Sequence, residues 1–175
     1  DVSLSSQWVS YSGNIWRTTS AVSSSSLNDC GVITFNNETS YGIKRNALSG
    51  CISQGNYYYN TSDDRVYMYS SSNPATYYNH IEIGGIYAEN CFTVNGDYII
   101  LDGLNIQYGA NNAIFLNSGT SNVIIQNCEI AWTGGMYYGG VTHGMGNGVQ
   151  MWEWVSDVII RRNHIHDCYD TGISP

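Results

Sequence analysis

YIILDGLNIQ (98–107), NVIIQNCEIA (122–131) and DVIIRRNHIH (157–166) repeat one pattern: a β-branched run, a polar corner, and one more isoleucine. Repetition at a period of a few tens of residues marks a unit that cannot bury its own apolar face and must stack on its neighbours. The register follows from spacing. Ile99 to Val123 is 24 residues and Val123 to Val158 is 35, whereas the partner runs beginning at Ile114, Val149 and Ile173 are spaced 35 and then 24. The two series agree if one loop carries 11 extra residues. Ile106 to Ile114 and Ile165 to Ile173 both span 8 residues but Ile130 to Val149 spans 19, so the insertion falls within 131–148.

Stacking in that register puts Leu101, Ile125 and Ile160 in one column, Ile106, Ile130 and Ile165 in a second, and Ile114, Val149 and Ile173 in a third. Because side chains alternate across a strand, Phe115, Gln150 and Ser174 then point away from the core. The fold expected is all-β, a right-handed parallel β-helix (a solenoid) over 79–175, preceded by an irregular β-rich cap over 1–78 in one continuous domain. An antiparallel sandwich is the competing arrangement for regularly spaced short strands, but it leaves the two matched spacings unexplained. Ile81 and Ile83 are expected in a first, shorter rung. By register Ile173 opens a partner strand that Pro175 cuts short, so the last rung is expected to lie open.

Composition agrees with strands and turns: 15 tyrosines and 19 glycines stand beside two prolines, and charged residues are 11% of the chain. No run approaches the 18 apolar residues of a membrane span. With a net charge of −8 and Lys44 as the only lysine, nucleic-acid binding is disfavoured, since phosphate neutralisation needs a basic surface. A chain beginning at Asp1, with sequons at Asn37-Glu38-Thr39 and Asn60-Thr61-Ser62, is expected to be secreted or at the cell surface and glycosylated at Asn37 and Asn60. Of the five cysteines, Cys30 and Cys51 flank one N-terminal loop and are the pair expected to form a disulfide. Cys91, Cys128 and Cys168 fall in different columns and are expected to be small gap-filling residues.

Several stretches, Asn56-Tyr57-Tyr58-Tyr59, Val66-Tyr67-Met68-Tyr69-Ser70, Asn73-Pro74, Tyr98-Ile99-Ile100-Leu101-Asp102-Gly103-Leu104, Asn147-Gly148-Val149 and Asp170-Thr171-Gly172-Ile173, together resemble the secreted parallel β-helix repeat proteins. That pectate-lyase-like superfamily includes polysaccharide lyases, epimerases and hydrolases, and the disaggregatase-type proteins of archaeal surfaces. The resemblance implies the fold and a polysaccharide partner. Of the motifs of its pectin hydrolases only Thr142-His143-Gly144 has a counterpart, and that chemistry is not carried over.

A lyase needs a base beside a uronate carboxylate and a cation to neutralise it. Register stacks Glu129 on His164, Ala131 on His166 and Gln126 on Arg161, which makes Glu129, His164, His166 and Arg161 the candidate catalytic set. Asp167 and Asp170, in the following turn, are the candidate ligands for Ca²⁺. Trp132, Tyr137, Tyr138 and His143 in the insertion, with Trp152 and Trp154 beyond it, are the candidate sugar-stacking residues. Two function classes stay open. One is an extracellular protein that recognises a polysaccharide, with cleavage by a lyase or hydrolase mechanism undecided. The other is a structural surface protein that polymerises head to tail through its open C-terminal rung.

Overall fold

Short β-branched and aromatic runs separated by Gly, Asn and Ser form short strands, and the chain resolves them into small sheets. The computed structural model describes residues 1–22, 29–85, 89–137 and 144–175. It is all-β, with five sheets among the described residues.

In the N-terminal half, β1 (Trp8–Ser12), β2 (Ile15–Thr18), β5 (Ile43–Lys44), β6 (Asn56–Asn60) and β7 (Arg65–Tyr69) form a mixed sheet in the order β1-β2-β7-β6-β5. A second, antiparallel sheet joins β3 (Ile33–Phe35), β4 (Ser40–Tyr41) and β8 (Ile81–Ile83). Between β7 and β8, the single-turn helix α1 (Pro74–Tyr77) starts at Pro74, and the Asn73 side chain accepts from the Ala75 N–H. Ile33, Phe35, Tyr57, Val66, Met68 and Ile81 fill one core, where the Phe35 and Tyr78 rings stack with centroids 3.8 Å apart.

The C-terminal half contains three parallel sheets around a second core. β10 (Ile100–Asp102), β13 (Ser121–Gln126) and β16 (Ser156–Arg161) make the first; β11 (Asn105–Gln107), β14 (Glu129–Ala131) and β17 (His164–Ile165) make the second. The third runs β9 (Phe92–Val94), β12 (Ile114–Leu116), β15 (Val149–Met151), β18 (Ile173–Ser174). Leu101 pairs with Ile125 and Ile125 with Ile160; Ile106, Ile130 and Ile165 are in line, as are Ile114, Val149 and Ile173. Corners recur at equivalent positions in the left-handed region: Tyr98, Asn122 and Asp157; Gly103, Asn127 and Arg162; Tyr108, Trp132 and Asp167. Side chains bridge successive turns in the same register, since Asn112 donates to Asn90 and accepts from the Asn147 N–H, while Asn147 accepts from Thr171.

Two expectations are corrected here. The right-handed parallel β-helix with a β cap is not the architecture found: the strands belong to five small, separate sheets, two of them antiparallel or mixed. Left-handed corners turn the chain so sharply that each run of hydrogen bonds stays within its own sheet. Ile81 and Ile83 do not start the parallel series, because β8 pairs antiparallel with β3 and both isoleucines are buried in the N-terminal half.

The halves meet through backbone. The Gly85 N–H donates to Tyr108 O and the Val32 N–H to Gly134 O. A Cβ on Gly85, which has φ +78°, would lie 2.0 Å from that of Ala110, so only glycine admits this approach. Lys44 closes the junction. Its Nζ is 2.6 Å from Asp29 Oδ1, donates to the carbonyls of Cys30 and Gly135, and sits 4.4 Å from the centroid of the Tyr137 ring.

Candidate functional site: an imidazole–carboxylate chain beside an aromatic cleft

Alternation along β14 and β17 turns Ile130 and Ile165 inward and leaves Glu129 and His164, which are paired in register, on the outer face. His166 follows two residues after His164 and stays in line because its N–H donates to Ile130 O. His164 Nδ1 lies 3.0 Å from Glu129 Oε2, and His166 Nε2 lies 2.5 Å from Glu129 Oε1. At Asp167 the chain enters the left-handed region, and Asp167 Oδ2 stands 2.6 Å from His166 Nδ1. The two imidazole centroids are 4.2 Å apart. The result is a continuous chain, Asp167, His166, Glu129, His164, with His164 72% exposed at its open end.

Its electrostatics follow from this order. The Asp167 hydrogen bond, then that of Glu129, raises the His166 pKa above its ordinary value. The reciprocal bond from His166, joined by that of His164, lowers Glu129. The protonated form of His166 is thereby favoured by the carboxylates on either side of it.

Arg161 is not joined to this chain. Its Nε and Nη2 both donate to Gln126 Oε1, and Gln126 donates to Asp102, forming a polar ladder across β10, β13 and β16. Among the described residues, the clusters of three or more ligand-bearing side chains are Glu129, His164, His166 and Asp1, His80, Glu82, so neither contains the expected pair Asp167 and Asp170. Asp170 is exposed, and its N–H donates to Gly146 O.

The aromatic candidates separate into three places. Trp132 and Tyr169 wall a cleft together with Tyr41 from the N-terminal half; Val32, Asp167 and Cys168 also line it. Tyr41 and Trp132 have ring centroids 6.4 Å apart. Tyr137 is instead part of the junction, its N–H donating to Asp29 and its hydroxyl to Asn46. Trp152 and the 84% exposed Trp154 border a different, shallow depression after β15, lined also by Gln150 and Met151. Tyr138 and His143 lie outside the described residues. Tyr41 was missed because a hairpin 91 residues earlier in the chain carries it, whereas the register that places Asp167 beside β14 also places Tyr169.

Cys30 and Cys51, expected to pair, are both free. Cys30 is enclosed beside Asp29 and Lys44, where burial pushes its thiol up to about 12; Cys51 follows a 3-10 turn near Arg45, at about 11. Asn37 is exposed in the β3–β4 turn and Asn60 is half-buried at the end of β6.

No family model matches the chain, and neither the curated proteins nor the solved structures contain a significant match. No helix among the described residues is long and apolar enough to cross a membrane.

Proposed function

We propose that this protein recognises a polysaccharide, with the sugar seated in the cleft between Tyr41, Trp132 and Tyr169. One observation carries the reading: three aromatic rings and the Asp167 carboxylate line the same cleft, and Asp167 continues into the imidazole–carboxylate chain. A pyranose ring presents apolar C–H faces and hydroxyl edges, so it needs both kinds of surface. The sequence resemblance to secreted polysaccharide-active proteins supports the same partner, and an extracellular or cell-surface location goes with it.

Charge narrows the ligand. With a net charge of −8 and the Asp167 carboxylate lining the cleft, a neutral glycan is favoured over a polyuronate. Recognition is also favoured over lyase chemistry. Among the described residues that line the cleft none is a lysine or arginine: Lys44 is buried at 4% exposure and Arg161 is bonded to Gln126.

Affinity electrophoresis and calorimetry against a panel of neutral and uronate-containing polysaccharides test this. Trp132→Ala should weaken binding at least about tenfold, equivalent to about 1.4 kcal/mol, and Trp154→Ala should leave it unchanged. Retained binding in Trp132→Ala, or a preference for polyuronates, defeats the assignment.

A further inference from the structure

We infer that Glu129, His164 and His166 form a binding site for a divalent transition-metal ion of the zinc class. Each residue offers one ligand atom, and the three atoms lie within 4.8 Å of one another. Strand geometry produces this convergence. Glu129 and His164 face each other across adjacent parallel strands, and a His-x-His spacing returns the second imidazole to the same face. Each imidazole nitrogen addresses a different oxygen of one carboxylate, at 3.0 and 2.5 Å. Tetrahedral ligands about 2.0–2.2 Å from a zinc ion stand about 3.3 Å apart, so an ion entering between them needs only a small outward movement of exposed side chains.

Asp167 adds the outer contact that metal-bound histidines commonly have. It holds His166 Nδ1 and leaves Nε2 aimed at Glu129, the orientation in which a carboxylate fixes the tautomer and raises the basicity of a ligating imidazole. Two imidazoles with one carboxylate suit Zn²⁺, Co²⁺, Ni²⁺ or Cu²⁺, whereas Ca²⁺ takes six to eight oxygens that this cluster does not supply. The three ligands leave an open coordination position toward solvent at the exposed His164 side. The site stands whether or not the cleft binds a sugar, because the ion itself can be observed.

The other cluster, Asp1, His80 and Glu82, lies apart in the N-terminal half, where His80 Nε2 is 3.2 Å from Glu82 Oε1. Five free thiols are the remaining competitors. Cobalt(II) titration of the metal-free full chain, followed by visible absorption, separates them. One Co²⁺ per chain should bind with visible d–d bands and without the intense near-ultraviolet thiolate-to-cobalt band. Glu129→Gln and His164→Ala should each weaken binding by more than about 100-fold, and Asp167→Asn by about 10- to 100-fold. Glu82→Gln and Cys168→Ser should bind as the parent does. The altered side chains are exposed or partly exposed, and circular dichroism checks that each variant is folded. Absence of binding at millimolar Co²⁺, a thiolate band, or undiminished binding in folded His164→Ala overturns the site.

Discussion

His166 stands between Asp167 and Glu129, and these neighbours favour its protonated form. Its folded pKa lies above the ordinary 6.5, so its contribution to stability is complete below that value and fades as pH rises through the folded one. Glu129 runs the other way: its folded value lies below 4.5, so its contribution holds above 4.5 and is lost as pH falls through that lower value. The mutual bond is therefore strongest between the two folded values, across the mildly acidic range and up to somewhat above pH 6.5. In chelator-treated protein, an NMR titration should place the His166 midpoint above 6.5, and Asp167→Asn should bring it down. A midpoint indifferent to Asp167 would show that the hydrogen bond is absent in solution. The chain of four was half legible from sequence. Register paired Glu129 with His164, but Asp167 looked like a cation ligand because only its left-handed backbone folds it back onto His166.

Among the elements, β14 is paired on both sides, with β11 and β17. Ile130 is fully buried between Ile106 and Ile165, while the Glu129 side chain on the opposite face carries the chemistry. Ile130→Ala should destabilise the protein by about 2–5 kcal/mol, the lost transfer energy plus a cavity that its flanking isoleucines cannot close, measured by denaturant unfolding. The same change should loosen Glu129 relative to His164. Columns such as this one were readable because an alternating strand fixes which residues face inward, and a fixed spacing fixes which neighbours they meet. Sheet membership was not readable: Ile81 and Ile83 of β8 alternate as Val123 and Ile125 of β13 do, yet β8 pairs antiparallel with β3. An apolar alternation specifies a buried face, not the direction of the strand beside it.

Across the whole molecule, the ion pair of Lys44 and Asp29, 4% and 7% exposed, fastens the N-terminal sheets to the segment that follows β14. Lys44→Met leaves Asp29 buried without its cation and should cost about 3–5 kcal/mol, more than the double change with Asp29→Leu. Thermal unfolding of the parent and the two variants checks the order; a double variant less stable than Lys44→Met would contradict it. The same junction brings Tyr41 to Trp132 and Tyr169, so loosening it should also open the cleft. Along the other edge, Ile159, Ile173 and Trp154 are exposed, and β16 and β18 each pair on one side only among the described residues. Local pattern alone determined the all-β class, the inward columns, the place of the 11-residue insertion and the pairing of Glu129 with His164, because each depends on the two-residue period of a strand and on spacing. Tertiary structure decided the division into five sheets, the free state of Cys30 and Cys51, the third wall of the cleft and the burial of the only lysine. Those features join residues tens of positions apart through packing and close backbone approach, to which no local period corresponds.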